Sequence, residues 1–217
     1  VEPTHATVTL ADYRIRQGAY HQDPDLARAH AAHPFICMWD DHESADNSYK
    51  DGAENHDPRT QGSWTARKHA STQAYFEWMP VRPTSLAGGQ HLYRRFRFGT
   101  LTELIIPDLR SYRDKQSSAR VDDPTQSITG AEQYTWLETS VTTSSTRWQV
   151  IGSEVMMVPL TIPESTDPRL ADWLHEKIGL PQDGIPVNND QWDGYAAERR
   201  KLLSAIDAAG KKNVVLV

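Results

Sequence analysis

Apolar and polar positions along the chain divide it into short elements of both kinds. Leu10 to Gln22 has helical spacing, with Asp12 near its start. "DPDL" (Asp23 to Leu26) opens a second helix, with Asp23 as N-cap, Pro24 at the first helical position and Asp25 in the first turn. That helix ends near His33, because Pro34 follows. Phe35 to Trp39 is apolar without a break and predicts a strand. Asp40 to Ala66 is a long polar segment rich in Asp, Asn, His and Gly, of a length found in functional or disordered loops. Arg67 to Trp78 predicts a helix with Tyr75 and Phe76 on one face, ended by "MPVRP".

In the second half, Leu92 to Phe98 ("LYRRFRF") alternates apolar and basic residues as a half-exposed strand does. Gly99-Thr100 turns it into an antiparallel neighbour, Leu101 to Ile106. Ser111 to Gly130 reads as loop, Ala131 to Ser140 as helix, and Trp148 to Ile151 and Val155 to Leu160 as strands. Thr161 to Asp193 is mostly loop with a short helix near Leu170 to Ile178. Ala196 to Ala209 is an amphipathic helix stopped by Gly210. Strands and helices mix, with at least one hairpin and no internal repeat, which predicts a layered α/β sheet protein. "NVVLV" (Asn213 to Val217) is apolar on both faces, as strands in the middle of a covered sheet are. Such a strand leads to the sheet edge where α/β folds hold ligands. On this reading residues 1–217 are an internal segment of one larger catalytic domain.

Composition narrows the function classes. A chain of 217 residues holds one large domain or two small ones, and its seven Trp and eight Tyr supply core material. A net charge of −6 argues against nucleic acid as a general partner, which calls for a basic surface, but not against a small phosphorylated ligand bound through a metal. A single cysteine, Cys37, allows no disulfide within the chain and reads as a core residue. No run approaches the roughly 18 apolar residues of a membrane span. The first residues show no secretory signal pattern.

The candidate chemistry gathers at "FICMWDDHE", where the predicted strand runs into Asp40, Asp41, His42 and Glu43. Carboxylates this close repel each other unless a cation lies between them, and oxygen ligands suit a hard divalent or trivalent ion. A neighbouring histidine can ligate the metal, contact an oxyanion or donate a proton. The alternative is a capped turn whose side chains are solvated. The loop that follows holds Asp46, Asn47, Asp51, Glu54, Asn55, His56 and Asp57 without the spacing of an EF-hand, and residue by residue reads as a solvated loop. Arg110 and Arg113 ("PDLRSYRDKQ") present guanidinium forks that suit a phosphate, or Arg110 pairs with Asp108. In "NNDQWDGY", Trp192 is either a wall of a substrate pocket or packing, with Asp193 capping the last helix. His56 and His69 read as surface or helix residues.

"LADYRIRQGAYHQDPDLARAHAAHPFICMWDDHESADN", "GAENHDP", "ARKHASTQAYFEWMPVR", "LYRRFRFGTLTELIIPDLRSYRDKQ", "GAEQYTWL", "RWQVIGSEVMMVPL" and "NDQWDGYAAERRKLL", in this order, closely resemble the alkaline phosphatase D family of metallophosphoesterases. The resemblance implies a four-layer α/β/β/α sandwich and metal-dependent hydrolysis of phosphate esters, of monoesters or diesters. The diesters include phospholipids, in the manner of a phospholipase D. A non-catalytic fragment or binding relative is the remaining alternative. It also implies Fe3+ and Ca2+ as cofactors, a small phosphate-ester or phospholipid substrate, and a secreted or cell-surface location. Asp41 falls at the family's metal-binding position and His42 at the position that meets phosphate and leaving group. Asp40 is a further candidate ligand, with Asn47, Arg110 and Trp192 expected to bind substrate. The family's upstream and downstream ligand blocks are not in this chain. They are expected from the remaining segments of the same protein, present as separate fragments.

Overall fold

The computed structural model describes residues 2–82, 84–86, 89–162, 167–178, 180–181 and 184–217. The chain forms two compact units, Val1–Leu92 and Tyr93–Val217.

The first unit is mainly helical. Helix α1 (Leu10–His21) begins with a capping box: the Thr9 hydroxyl accepts from the Asp12 N–H, and the Asp12 carboxylate accepts from the Thr9 N–H at 2.8 Å. Helix α2 (Pro24–Ala32) starts as its sequence predicts, with the Asp23 carboxylate accepting from the N–H groups of Asp25 and Leu26. A single turn, α3 (Pro58–Gln61), and helix α4 (Trp64–Trp78) follow. Helix α4 starts three residues before its apolar pattern does, because Ser63 caps it by accepting from the Ala66 N–H. Helices α1 and α4 pack on one another. Gly18 makes room for the Trp78 ring, which a Cβ would meet at 3.2 Å, and Arg14 forks onto Glu77 with two bonds of 2.6 Å. Two short strands, β1 (Thr84–Leu86) and β2 (Gly89–His91), pair antiparallel.

Phe35 to Trp39, expected as a buried strand, forms none. A strand needs a neighbour to take its backbone groups, and no β-ladder among the described residues includes this segment. Phe35 and Ile36 are exposed, Cys37 is half-buried rather than in the core, and Trp39 packs against Tyr75 and Phe76 of α4.

The second unit holds a mixed four-stranded sheet in the order β3-β4-β5-β8: β3 (Arg94–Phe98), β4 (Thr102–Ile106), β5 (Trp148–Ile151) and β8 (Val214–Leu216). β3 and β4 form the expected hairpin, while β4-β5 and β5-β8 are parallel. Helix α5 (Ala131–Thr143) joins β4 to β5, and helix α7 (Ala196–Ala208) precedes β8. Ile105, Leu137, Val141, Ile151, Trp192, Tyr195, Leu202 and Ile206 fill the core. Instead of the strand predicted at Val155 to Leu160 there is a two-residue strand, β6 (Thr161–Ile162), paired with β7 (Ile185–Pro186). Helix α6 (Pro168–Ile178) lies between these. The apolar strand β8, expected in the middle of a sheet, is at the edge among the described residues, with Val215 partly exposed.

A buried polar network ties the loops of this unit to its core. Arg110 donates to both carboxylate oxygens of Asp190 at 2.8 and 2.9 Å, and Arg113 donates to the Asp190 carbonyl at 2.8 Å. Asp193 does not cap α7. It is buried, pairs with Arg199 and accepts from the Leu160 N–H at 2.8 Å. Burial alone would push the Asp190 carboxyl up, but the Arg110 hydrogen bond and the charges of Arg113 and Arg110 outweigh it and hold the group below its ordinary range. Glu198 goes the other way. Burial raises it, although Thr129 donates to it through both hydroxyl and N–H.

These two carboxyls contribute opposite pH slopes. Stability from Asp190 is present above the ordinary aspartate range and lost as pH falls through its depressed folded value. The contribution of Glu198 is complete below the ordinary glutamate range and lost as pH rises through its raised folded value. Glu198→Gln keeps an acceptor for Thr129, so urea melts between about pH 4 and pH 8 should show a flatter decline with rising pH than in the parent. Asp190→Ala leaves two buried guanidinium groups without their carboxylate and should cost about 3–5 kcal/mol at pH 7 by the same measurement.

Candidate metal centre

The polar loop after Trp39 is ordered by one buried carboxylate. The Asp41 carbonyl accepts from the N–H groups of Ser44 and Ala45, both at 2.8 Å, which winds residues 41–45 into a single turn. Asn47 sits in the left-handed region with φ 52°, a conformation asparagine tolerates better than most residues. Its N–H points back onto the Asp41 carboxylate oxygen Oδ2 at 2.6 Å, and the left-handed φ redirects the chain that follows. Asp40 closes the outer end by donating its N–H to Glu43 at 2.6 Å. Further on, the Glu54 N–H reaches the Asp46 carbonyl at 3.0 Å, and Ala45, Ala53 and Trp64 cluster beneath the loop. Tyr13 of α1 anchors it with a 2.5 Å hydrogen bond to the Ser44 carbonyl, and Arg67 of α4 donates to the Tyr13 hydroxyl and to the Asn55 carbonyl.

This folding brings Asp41, His42 and Asp46 together, each with one donor atom within 4.8 Å of the others. The His42 Nε2 lies 3.7 Å from Asp41 Oδ1 and 3.8 Å from Asp46 Oδ1, longer than hydrogen bonds. Donors bound about 2.4 Å from one hard cation stand about 3.4 Å apart at right angles and about 4.8 Å apart when opposite. The three side chains therefore fit around one ion with only small adjustment. Two carboxylates and an imidazole also suit hard or borderline metals. Side-chain exposure grades across the group, 3% for Asp41, 39% for Asp46 and 75% for His42, so a ligand arriving from solvent meets the histidine first.

Asp41 and His42 thus lie together. Asp40 stands outside the three-residue group, and Asn47 serves the turn with its backbone while its side chain donates to Glu54. The Arg110 guanidinium binds Asp190 while its backbone N–H donates to the Asp108 carboxylate at 3.0 Å, and Trp192 is wholly buried in the core of the second unit with its Nε1 donating to Ser153. His56 packs on Trp64 and lies beside Arg67. The sequence does not distinguish Asp46 from the other acidic residues of its loop. Its separation of four residues from His42, the spacing that brings side chains together within one turn, was the available signal.

A family model described as PhoD-like phosphatase matches residues 1–217. Alkaline phosphatase D of Bacillus subtilis (strain 168) is 31% identical over 97% of this chain, and the chain spans 34% of that relative's length. A solved structure described as "Structure of PhoD" covers the whole chain with a TM-score of 0.82 and 30% identity, and the chain covers 40% of it.

Asp41→Asn keeps an acceptor for the Asn47 N–H but removes the buried charge. Calorimetric titration with Ca2+ or Mn2+ should show weakened binding in Asp41→Asn and a smaller loss in the more exposed Asp46→Asn. Unchanged binding in both variants would exclude this group as a metal centre.

Proposed function

The chain belongs to the PhoD-like phosphatase family, and from that premise we propose that it serves metal-dependent hydrolysis of phosphate esters, as part of a phosphomonoesterase or phosphodiesterase. The observation that carries the reading is the convergence of Asp41, His42 and Asp46 on the one loop that the family resemblance marks. We further propose that it is an internal segment of a four-layer α/β/β/α sandwich whose remaining segments complete the centre, a reading that agrees with its spanning 34% of the length of the Bacillus subtilis relative. Iron and calcium are the ions that the resemblance supports, and a secreted or cell-surface location is proposed on the same ground. None of the helices among the described residues is long and apolar enough to cross a membrane.

A cation held here would supply charge neutralisation at the phosphate and activation of a water nucleophile. Asp41, buried and fixed by Asn47, is suited to hold position rather than to move protons. His42 sits at the solvent face of the group and can donate a hydrogen bond to a phosphoryl oxygen or a proton to the leaving oxygen. Asp46, half-exposed and held from behind by the Asn55 side chain at 3.0 Å, orients its other oxygen toward His42.

Hydrolysis of a chromogenic monoester, a chromogenic diester and a phospholipid by the complete protein, together with its metal content, tests the reading and sorts the substrate classes. Failure on all three with metal bound would leave a binding protein instead. In an active protein, His42→Ala should lower turnover by about 10²- to 10⁴-fold. Its melting temperature should stay close to the parent's, since the side chain is largely exposed.

A further inference from the structure

Beside the metal group lies a cleft of about 540 Å³ whose lining includes His5, Arg16, Tyr20, His42, Asp46 and Arg67. Helix α1 shapes one wall by its period. Tyr13, Arg16 and Tyr20 stand three and four residues apart and share one face, and the Tyr13 hydroxyl fixes that face to the loop through the Ser44 carbonyl.

Arg14 and Arg67 are committed to contacts within the fold. Arg14 gives Nε and Nη2 to Glu77. Arg67 gives Nε to the Tyr13 hydroxyl and Nη1 to the Asn55 carbonyl and Gln61. Arg16 gives only Nη2, to the Pro3 carbonyl at 3.2 Å, while its Nε is buried and has no hydrogen-bond partner. No carboxylate of the cleft answers it. Glu43 accepts from the Asp40 N–H, and Asp46 accepts from Asn55 with its second oxygen turned toward His42. A buried guanidinium donor left without a partner is costly, and a charged donor pays back most when its acceptor is an anion.

We propose that Arg16 is an anion-binding residue of this cleft, its guanidinium meeting an oxygen of the substrate's phosphate group. The inference rests on the phosphate-ester reading and extends it: the anion is bound between the Arg16 wall and the metal group, and the arginine acts in binding rather than in proton transfer.

The test uses the complete protein and inorganic phosphate. In 1H–15N spectra the Arg16 Nε–Hε resonance should shift on phosphate titration, in the presence of Ca2+, while that of Arg14 stays in place. Arg16→Gln should bind phosphate about 10- to 100-fold more weakly, the loss expected for one charge-assisted hydrogen bond, and Arg16→Lys should retain part of the affinity. An Arg16 resonance unmoved at saturating phosphate overturns the proposal, and it decides the matter even if Arg16→Gln does not fold. In the complete enzyme, Arg16→Gln should raise KM for a chromogenic monoester far more than it lowers kcat; an unchanged KM overturns the proposal while leaving the hydrolase reading intact. A protein that shifts the Arg16 resonance but hydrolyses no ester upholds the anion site and defeats the hydrolase reading.

Discussion

The first unit is organised around the burial of a single carboxylate. Asp41 is almost wholly removed from solvent, and such a group is tolerated only when its oxygens are satisfied. Part of that satisfaction comes from within its own loop. The Asn47 N–H meets the carboxylate, and the Asp41 carbonyl takes the next turn's amides. Those bonds reverse the chain within seven residues. The reversal, not the length or polarity of the loop, places His42 and Asp46 beside Asp41. The Asn47 N–H closes this arrangement, and the left-handed φ of Asn47 redirects the chain that follows.

The loop would have little rigidity on its own, since only Ala45, Ala53 and Trp64 form an apolar cluster beneath it. Its fixity comes from contacts with helices α1 and α4. Tyr13 reaches it from α1, and Arg67, buried in α4, binds the Tyr13 hydroxyl and the far strand of the loop at once. One arginine thus couples two helices and the loop, a use of buried charge that is favourable only because Arg67 has several oxygen acceptors. The second unit repeats this logic with larger stakes. Arg110 and Arg113 converge on Asp190, and Arg199 on Asp193, so that long loops are fastened to one another and to helix α7 by ionic contacts next to a conventional apolar core.

Much of this was legible in the residues. Helix α2 begins and ends where Asp23, Pro24 and Pro34 dictate, because caps and prolines act locally. The β3-β4 hairpin follows from alternation and one Gly-Thr turn. Errors occur where an outcome depends on distant partners. The apolar run at Phe35 looks like a strand, but the residues say nothing about which neighbour would pair with it. Trp192 and Arg110 carry the right chemistry for a substrate pocket, yet the same aromatic surface and the same planar fork serve a core and an ion pair equally well. For the metal group the block at Asp41 and His42 was recognisable, while Asp46 was one of several acidic residues. Only the turn at Asn47 separates it from the others.

The grading of exposure from Asp41 through Asp46 to His42 also explains how one loop can serve stability and chemistry together. A buried ligand can be held by backbone donors because it never has to move. An exposed imidazole has little to do with holding the fold and is open to an incoming molecule. Arg16 lies between these limits. Its outer nitrogen is bound to the backbone at Pro3 while its inner one is left with nothing to bind. A side chain fixed at one end and unsatisfied at the other loses little freedom when an anion arrives, so more of the interaction appears as affinity. The same economy governs the whole loop: groups that bind are positioned by contacts made before any ligand is present.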